Sequence, residues 1–300
     1  MFSQIQTEEI VKSISEKGYC KIDDAIDHVF LDKLKLDLDK NRFHLNHNGV
    51  SGVYSENQYF FCHILAISKP FVELLTSNFV KSITKKIFQE KCRLKAVRYY
   101  ETYSNHRMQW HTDNKTSEGF AVIPGIIFII YIDDVNEGEF QYIEGSHKWT
   151  LENKFNDYSD DYIENNYKNK IKSFKGKKGA MMIYNSYGIH RAKPFKNRQT
   201  LRKSLFFQID QNIKNSEPIL INPSFLTKEN LKDEWVQSLM GFGENSSYVR
   251  YPNADIKNLQ VKILLRSLKG YSVHRLKNFI FMSTPSLIKK ILKSLGLKRF

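Results

Sequence analysis

Two features of the sequence predict a mainly β protein with a helical front. Near Cys92 the spacing of apolar residues changes from the 3.6-residue period of amphipathic helices to the two-residue period of strands. Five strand-like runs rich in β-branched and aromatic residues follow, separated by turn residues. A third feature is chemical. Gln109-Trp110-His111-Thr112-Asp113-Asn114 places a His-x-Asp triplet inside this β region, and side chains two residues apart on an extended segment point to the same side. His111 and Asp113 can therefore take adjacent corners around a metal. A second histidine from a distant strand would complete the two-His-one-carboxylate triad that leaves positions open and suits non-haem Fe(II). Taken alone, such a triplet is a common coincidence.

The elements follow in order. Thr7 to Lys17 repeats apolar residues at Ile10, Val11 and Ile14, with Thr7 and two glutamates suited to a helix start. Gly18 ends it, and Tyr19 to Ile22 reads as a strand. Asp27 to Asn41 is a second amphipathic helix through Phe30, Leu31, Leu34 and Leu38. Residues 42–66 read as irregular and polar, with His44 and His47 in solvated loop. Pro70 to Phe88 is helical again, broken near Ser77-Asn78. The strands are Arg93 to Thr102, Gly125 to Ile132, Glu139 to Ile143, Ala180 to Tyr184 and Lys203 to Asp210. Asn136 and Gly138 suit positive φ in the turn at 133–138. Lys148 to Lys178, acidic at Asp157, Asp160, Asp161 and Glu164, reads as a helix-bearing insertion of the kind that forms a lid or wall of a site.

Cys20, Cys62 and Cys92 are an odd number without paired spacing, so neither a disulfide framework nor a zinc knuckle is expected. The opening MFSQIQTEEI lacks a basic-then-apolar leader, and the longest apolar run, Phe120 to Ile132, is interrupted by Pro124 and Gly125. A cytoplasmic protein is the expectation. The net charge of +14 raises nucleic-acid binding as a function. However, Ile256 to Phe300 holds 11 Lys/Arg and no acid, leaving +3 for residues 1–255. Basicity belongs to the tail, which has few aromatics placed to stack bases, and nucleic acid is not the expected partner.

The missing ligand comes from Gly179-Ala-Met-Met-Ile-Tyr-Asn-Ser-Tyr-Gly-Ile-His190, read as a strand ending in a histidine, 79 residues after His111. Twelve residues beyond it Arg202 opens another strand, with Asn197 five residues ahead. Between the ligands lies Phe128-Ile-Ile-Tyr-Ile-Asp-Asp-Val-Asn-Glu-Gly-Glu-Phe-Gln-Tyr-Ile-Glu-Gly-Ser-His147. Together these motifs resemble the phytanoyl-CoA dioxygenase family of Fe(II)/2-oxoglutarate oxygenases: His-x-Asp, an apolar strand into Asp-Asp-Val, a Gly-containing turn, Gly-Ser-His, a distal His, then Asn and Arg. The resemblance covers roughly residues 7–212. Glu144 stands where the family usually has Pro.

The resemblance implies a double-stranded β-helix, a jelly-roll of cupin type, with N-terminal helices on one sheet. It implies His111, Asp113 and His190 as iron ligands and Arg202 as the grip on the distal carboxylate of 2-oxoglutarate, a role suited to a planar, permanently charged guanidinium. Arg98 and Tyr100 are candidates for the 2-oxoglutarate or substrate wall. Many relatives carry Ser or Thr two residues after the distal His; Ala192 stands here, so another hydroxyl or amide must substitute. The implied cofactors are Fe(II), 2-oxoglutarate and O2, and the products succinate and CO2. Asp113 favours hydroxylation over halogenation, since related halogenases need a small residue there. His147 reads as structural, His106 as loop, and Tyr184 and Tyr187 as core packing.

After Asp210 the strand pattern ends. Leu226 to Met240 and Asp255 to Lys269 read as helices, and Thr284 with Pro285 starts a last one. Its Leu287, Ile288, Ile291, Leu292, Leu295 and Leu297 form one face, with Lys289, Lys290, Lys293 and Lys298 mostly off it. Such a helix suits an anionic membrane surface, each cation adding about 1 kcal/mol, or a docking role on the barrel or a partner subunit. The expected organisation is an oxygenase domain over 1–212, its β-helix core at about 92–210 and its lid-like insertion at about 148–178, followed by a helical basic extension over 213–300. The expected function is Fe(II)- and 2-oxoglutarate-dependent hydroxylation of a small or lipid- or sugar-linked metabolite, in the cytoplasm or at the inner membrane surface. The competing classes are a non-catalytic β-helix binding module or membrane-surface accessory protein, and a cupin-type isomerase or hydrolase. Retention of all three ligands and Arg202 speaks against them. Loops 44–62, 114–124 and 148–178 are expected to select the substrate.

Overall fold

The computed structural model describes residues 4–41, 53–54, 58–88, 91–103, 108–113, 115–116, 119–120, 125–149, 158–196, 201–211, 220–242 and 249–250, with five separate positions between 276 and 288. The N-terminal helices meet the sequence reading closely. Helix α1 (Gln4–Lys17) starts a turn early, so that Thr7 lies inside it and is buried. Strand β1 (Tyr19–Ile22) follows. Helix α2 (His28–Lys40) is capped by Asp27, whose carboxylate accepts from the N–H groups of Val29 and Phe30. Its Leu31, Leu34 and Leu38 are buried on one stripe. Residues 42–66 were read as irregular, yet they hold β2 (Val53–Tyr54), β3 (Gln58–Phe61) and the one-turn α3 (Ile64–Ile67). These pieces are too short for a period to register. The break near Ser77-Asn78 is present: α4 (Lys69–Leu75) stops and α5 (Asn78–Phe88) begins.

The β region comprises β4 (Cys92–Tyr103), β5 (Lys115–Thr116), β6 (Gly119–Phe120), β7 (Gly125–Tyr131), β8 (Val135–Ile143), β9 (Ile171–Gly176), β10 (Met181–Asn185), β11 (His190–Ala192) and β12 (Leu201–Gln211). Seven strands form one antiparallel sheet in the order β1-β10-β7-β12-β4-β3-β2, and three form a second in the order β11-β8-β9. Alternation along β12 sorts the two cores. Leu205, Phe207 and Ile209 face the helices and join a core with Ile10, Leu34, Phe71 and Ile83. Phe206 faces the other way, packing with Ile127, Tyr131, Phe140, Tyr142 and Tyr184 between the sheets. This is a double-stranded β-helix with its helical layer outside the large sheet.

Two readings need correction. The segment Gly179 to His190 is not one strand: β10 belongs to the large sheet and β11 to the small one, with the chain crossing between them at 186–189. The insertion read at 148–178 contains helix α6 (Asp160–Tyr167) but ends in β9, a strand of the small sheet. Only Phe174 of that strand is buried, so its composition imitates a loop.

Beyond residue 212 the described chain packs back on the helix-side core. Helices α7 (Lys228–Lys232) and α8 (Glu234–Met240) meet at Asp233, which caps α8 and pairs with Lys81. Val236, Leu239 and Met240 join the helix-side core, Trp235 Nε1 donates to Thr84 Oγ1 at 3.0 Å, and Ser238 donates to the Cys92 carbonyl. The helices read at 255–269 and 284–300 fall almost wholly outside the described residues, as do His44, His47, His106 and Asn197. No helix among the described residues is long and apolar enough to cross a membrane.

Candidate metal centre

His111 and His190 face each other across a single antiparallel bridge. The N–H of His111 donates to the His190 carbonyl at 3.0 Å, and the reverse bond is 2.9 Å. Their rings lie 4.4 Å apart between centroids. Asp113, two residues on, returns to the same side and is held there by its own N–H and by Thr112 Oγ1, both donating to the Ser186 carbonyl. His190 Nε2 is 3.1 Å from Asp113 Oδ2, and His111 Nε2 is 3.5 Å from Oδ1. One ligand atom from each of the three lies within 4.8 Å of the others.

The ring orientations suit a cation. His111 Nδ1 lies 2.9 Å from the Gln109 carbonyl and His190 Nδ1 lies 3.0 Å from the Gly188 carbonyl. A carbonyl only accepts, so each Nδ1 carries a proton and each Nε2 is turned toward Asp113, donating to it when protonated and offering its lone pair to a cation when not. Burial alone would raise the Asp113 carboxyl, but the charge of His190 and hydrogen bonds from both histidines hold it well below the usual range. His111 is raised: burial pulls it down, and the bond and charge of Asp113 outweigh that. Two imidazoles gathered round one permanently ionised carboxylate are a donor set for a divalent metal.

The strand register places the other predicted residues on rungs of the inner face. Tyr184, whose hydroxyl lies 3.4 Å from Asp113 Oδ2 and His190 Nε2, pairs with Ile127, which pairs with Gln208. Arg98 lies one rung away beside Phe206, Tyr100 the next beside Ser204, and Arg202 the next beside Thr102. Arg98 donates to the Tyr100 hydroxyl at 3.0 Å, and the charge of Asp113 acts on both. Arg202 is 9% exposed and donates to the Gly138 carbonyl and, at 3.4 Å, to Thr102 Oγ1. Its Nε is buried with no partner among the described residues. Glu139, whose charge acts on Arg202, is held by Lys193 at 3.1 Å. A buried guanidinium with an unspent donor fits an added carboxylate.

Sequence reasoning undervalued Tyr184. It is fully buried, and its hydroxyl lies 3.4 Å from both Asp113 Oδ2 and His190 Nε2. A strand period cannot tell a phenol that fills space from one that touches a ligand. His147 is bonded through Nε2 to the Ser15 carbonyl of α1 at 3.0 Å, away from the histidine pair. Gly188 has a steric reason: a Cβ there would come within 1.7 Å of the Tyr142 hydroxyl.

Comparison with known proteins agrees with this geometry. The family model described as Phytanoyl-CoA dioxygenase (PhyH) matches residues 65–204. No curated protein sequence matches the chain. Among solved structures, HygX from Streptomyces hygroscopicus with nickel and 2-oxoglutarate bound is 14% identical, covering 74% of this chain and 91% of that one with a TM-score of 0.54. The non-heme alpha ketoglutarate dependent carbocyclase SnoK from nogalamycin biosynthesis is 12% identical, covering 70% and 84% at 0.52. The epimerase SnoN of the same biosynthesis gives 12%, 70%, 84% and 0.52. At such identities the likeness speaks for the fold. Residues 65–204 thus carry a domain of the phytanoyl-CoA dioxygenase type, and the solved structures that share the fold are Fe/2-oxoglutarate-dependent oxygenases.

Proposed function

We propose that the protein hydroxylates a C–H bond of a small or lipid- or sugar-linked metabolite, with His111, Asp113 and His190 holding Fe(II) and Arg202 gripping the distal carboxylate of 2-oxoglutarate. One observation carries the reading: three ligand atoms converge within 4.8 Å on an inner face that also buries a guanidinium with an unspent donor three rungs away. Iron and 2-oxoglutarate, when bound, supply oxidative decarboxylation to succinate and CO2 coupled to transfer of one oxygen atom of O2 to substrate. The residues of this chain bind, orient and exclude water. Asp113 stays ionised, so it binds without first losing a proton. Arg98 and Tyr100 line the path between the ligands and Arg202. Thr102 and Ser204, beside and next to Arg202 on the same face, offer the hydroxyls that Ala192 does not. Hygromycin B sits with nickel and 2-oxoglutarate in a HygX structure, which supports a small molecule as substrate. The test is succinate release from 2-oxoglutarate across a panel of sugar-linked and lipid-linked acceptors, with the product examined by mass. A product lacking the extra oxygen would replace hydroxylation by another oxidation, as in a carbocyclase or epimerase. No 2-oxoglutarate turnover or binding with iron bound would favour the binding-module reading.

A second reading concerns the tail. Leu276, Phe279 and Ile288 are 59%, 68% and 45% exposed, in a stretch from 256 to 300 without a single acid. Exposed apolar groups among cations support peripheral association with an anionic membrane, in keeping with a cytoplasmic enzyme at the inner surface and with residues 213–300 acting partly as a basic extension. Co-sedimentation of the full chain with phosphatidylglycerol vesicles, lost in Phe279→Glu and absent with neutral vesicles, is the expected result. Equal binding by Phe279→Glu would remove this reading.

A further inference from the structure

We infer that helix α6 is a buttress behind the metal centre and that Arg191 is the positioning residue that couples it to both histidines. The inference rests on the metal-centre reading above.

Side chains alternate along both segments of the histidine bridge. Trp110 precedes His111, while Ile189 and Arg191 flank His190. On extended backbone these neighbours point opposite to the imidazoles. The two-residue bridge between His111 and His190 thus has a metal face and a back face. The back face is not open: Trp110 and Ile189 are buried with Ile143 and with Ile163 of α6, and Ile163 has no exposed surface. Tyr158, Tyr162, Tyr167 and Trp149 pack round this cluster.

Arg191 ties the layers together. Its side chain is 7% exposed, and its Nε and both terminal nitrogens face partners. Nε donates to Gln141 Oε1 on β8 at 2.8 Å, and Gln141 in turn donates to Ser173 of β9 at 2.7 Å. One terminal nitrogen donates to Asp160, and the other lies 3.9 Å from Glu164. The guanidinium stands 4.2 Å from the centroid of the Trp110 ring. Asp160 and Glu164 are four residues apart on α6, so both acids present on one face of the helix. A single side chain therefore contacts the helix, the small sheet and the residue next to His111, and it sits next to His190 in the chain.

The need for such a support follows from how little else fixes His111. Among the described residues its segment makes one bridge pair with His190, the bonds of Asp113 and Thr112 to the Ser186 carbonyl, and one from the Ala192 N–H to Met108 Sδ at 3.4 Å. A ligand on so short a ladder is oriented by what packs behind it. Helix α6 is thus not a lid over the opening; it sits on the far side of the ligands from the metal face.

The experiment uses the full chain without iron, titrated anaerobically with Co(II) and followed by its visible ligand-field spectrum. Arg191→Met keeps the stem and removes the charge; the double variant Asp160→Asn/Glu164→Gln removes only the partners, which are 65% and 48% exposed, and guards against misfolding of the first. Both are expected to bind Co(II) about 10- to 100-fold more weakly, with an altered spectrum and unchanged far-UV circular dichroism. Arg191→Lys, which keeps the charge without the fork, is expected to fall between Arg191→Met and wild type. Wild-type affinity and spectrum in the double variant would overturn the inference, as would the same result in Arg191→Met. Failure of the wild type itself to take up Co(II) would overturn the metal-centre reading and this inference with it.

Discussion

Replacing Arg202 by methionine should separate cosubstrate binding from folding. Methionine keeps most of the stem volume and drops the fork. A charged hydrogen bond contributes about 1.5–3 kcal/mol. A carboxylate gripped at two points therefore loses at least about 3 kcal/mol, roughly two orders of magnitude in affinity. The ligand-free protein behaves differently. There, among the described residues, the guanidinium donates to the Gly138 carbonyl and to Thr102 Oγ1, with Nε unspent. Losing two such bonds costs about 1 kcal/mol each, offset by relief from burying a charge. Net stability should stay within about 2 kcal/mol of wild type. The assay is thermal unfolding of the Fe(II)-loaded protein under nitrogen, with and without 2-oxoglutarate, alongside the visible charge-transfer absorption of the iron–2-oxo acid chelate. At a 2-oxoglutarate concentration 100 times the wild-type Kd, the stabilisation of about 2.7 kcal/mol should fall to about 0.4 kcal/mol in the variant. A variant that keeps the full 2-oxoglutarate-dependent shift would refute the assignment of Arg202. One that loses iron as well would show that the residue supports the metal centre instead.

The same geometry has other consequences. His111 is raised above 6.5 in the metal-free protein, chiefly against burial and through Asp113, so a divalent ion must displace that proton. Co(II) affinity should climb as pH rises through and above 6.5, with proton uptake by buffer in calorimetry; a flat profile would sink the assignment. Without metal, the stability contributed by His111 is complete below 6.5 and lost as pH rises through its raised value. That of Asp113, whose value is depressed, is present above 3.8 and lost as pH falls. The metal-free protein should therefore gain most from this pair between about 4 and 6.5. Tyr184→Phe removes a hydroxyl 3.4 Å from both Asp113 and His190 and should weaken Co(II) binding up to about tenfold while shifting stability by under about 1 kcal/mol; unchanged binding would return Tyr184 to packing alone. Ile163→Ala, at a side chain with no exposed surface, should cost about 2–5 kcal/mol in a denaturant melt, and a loss under 1 kcal/mol would mean that α6 is loosely seated.

What the sequence disclosed, and what it did not, divides along a physical line. His111 and Asp113 were legible because two-residue alternation is a local property of extended chain. Helix α2 was legible through Leu31, Leu34 and Leu38, and the break at Ser77-Asn78 through its composition. Strand β9 escaped because only Phe174 is buried among Ile171-Lys-Ser-Phe-Lys-Gly, so an edge strand carried a loop's composition. Membership of a sheet escaped for the same kind of reason: nothing in Asn185-Ser-Tyr-Gly-Ile-His190 says that the chain changes sheets there. Arg191 carries no signal in the sequence beyond a charge beside the distal histidine. Its role depends on Asp160, Glu164, Gln141 and Trp110, which lie 27 to 81 residues away in sequence.

Glu144 shows how far a family pattern can mislead. Restoring the usual residue, Glu144→Pro, should weaken this protein. The Glu144 carboxylate accepts from the Tyr19 hydroxyl at 2.7 Å, and burial followed by this partner raises that phenol. The backbone N–H of Glu144 donates to the Lys170 carbonyl at 2.9 Å, a bond that proline cannot make. The turn is otherwise closely tied: the Gly145 N–H donates to the Lys17 carbonyl, and Ser146 Oγ accepts from the Ile189 N–H at 2.8 Å, one residue before His190. The side chain of Glu144 is 36% exposed, so its bond to Tyr19 is discounted to about 1 kcal/mol, and the lost backbone bond adds a similar amount. A total near 2 kcal/mol should appear in a denaturant melt, and Tyr19→Phe should recover only the side-chain half. If Glu144→Pro is as stable as wild type, proline's restriction of the unfolded chain outweighs both bonds, and the departure from the family at this position has no structural cost to explain.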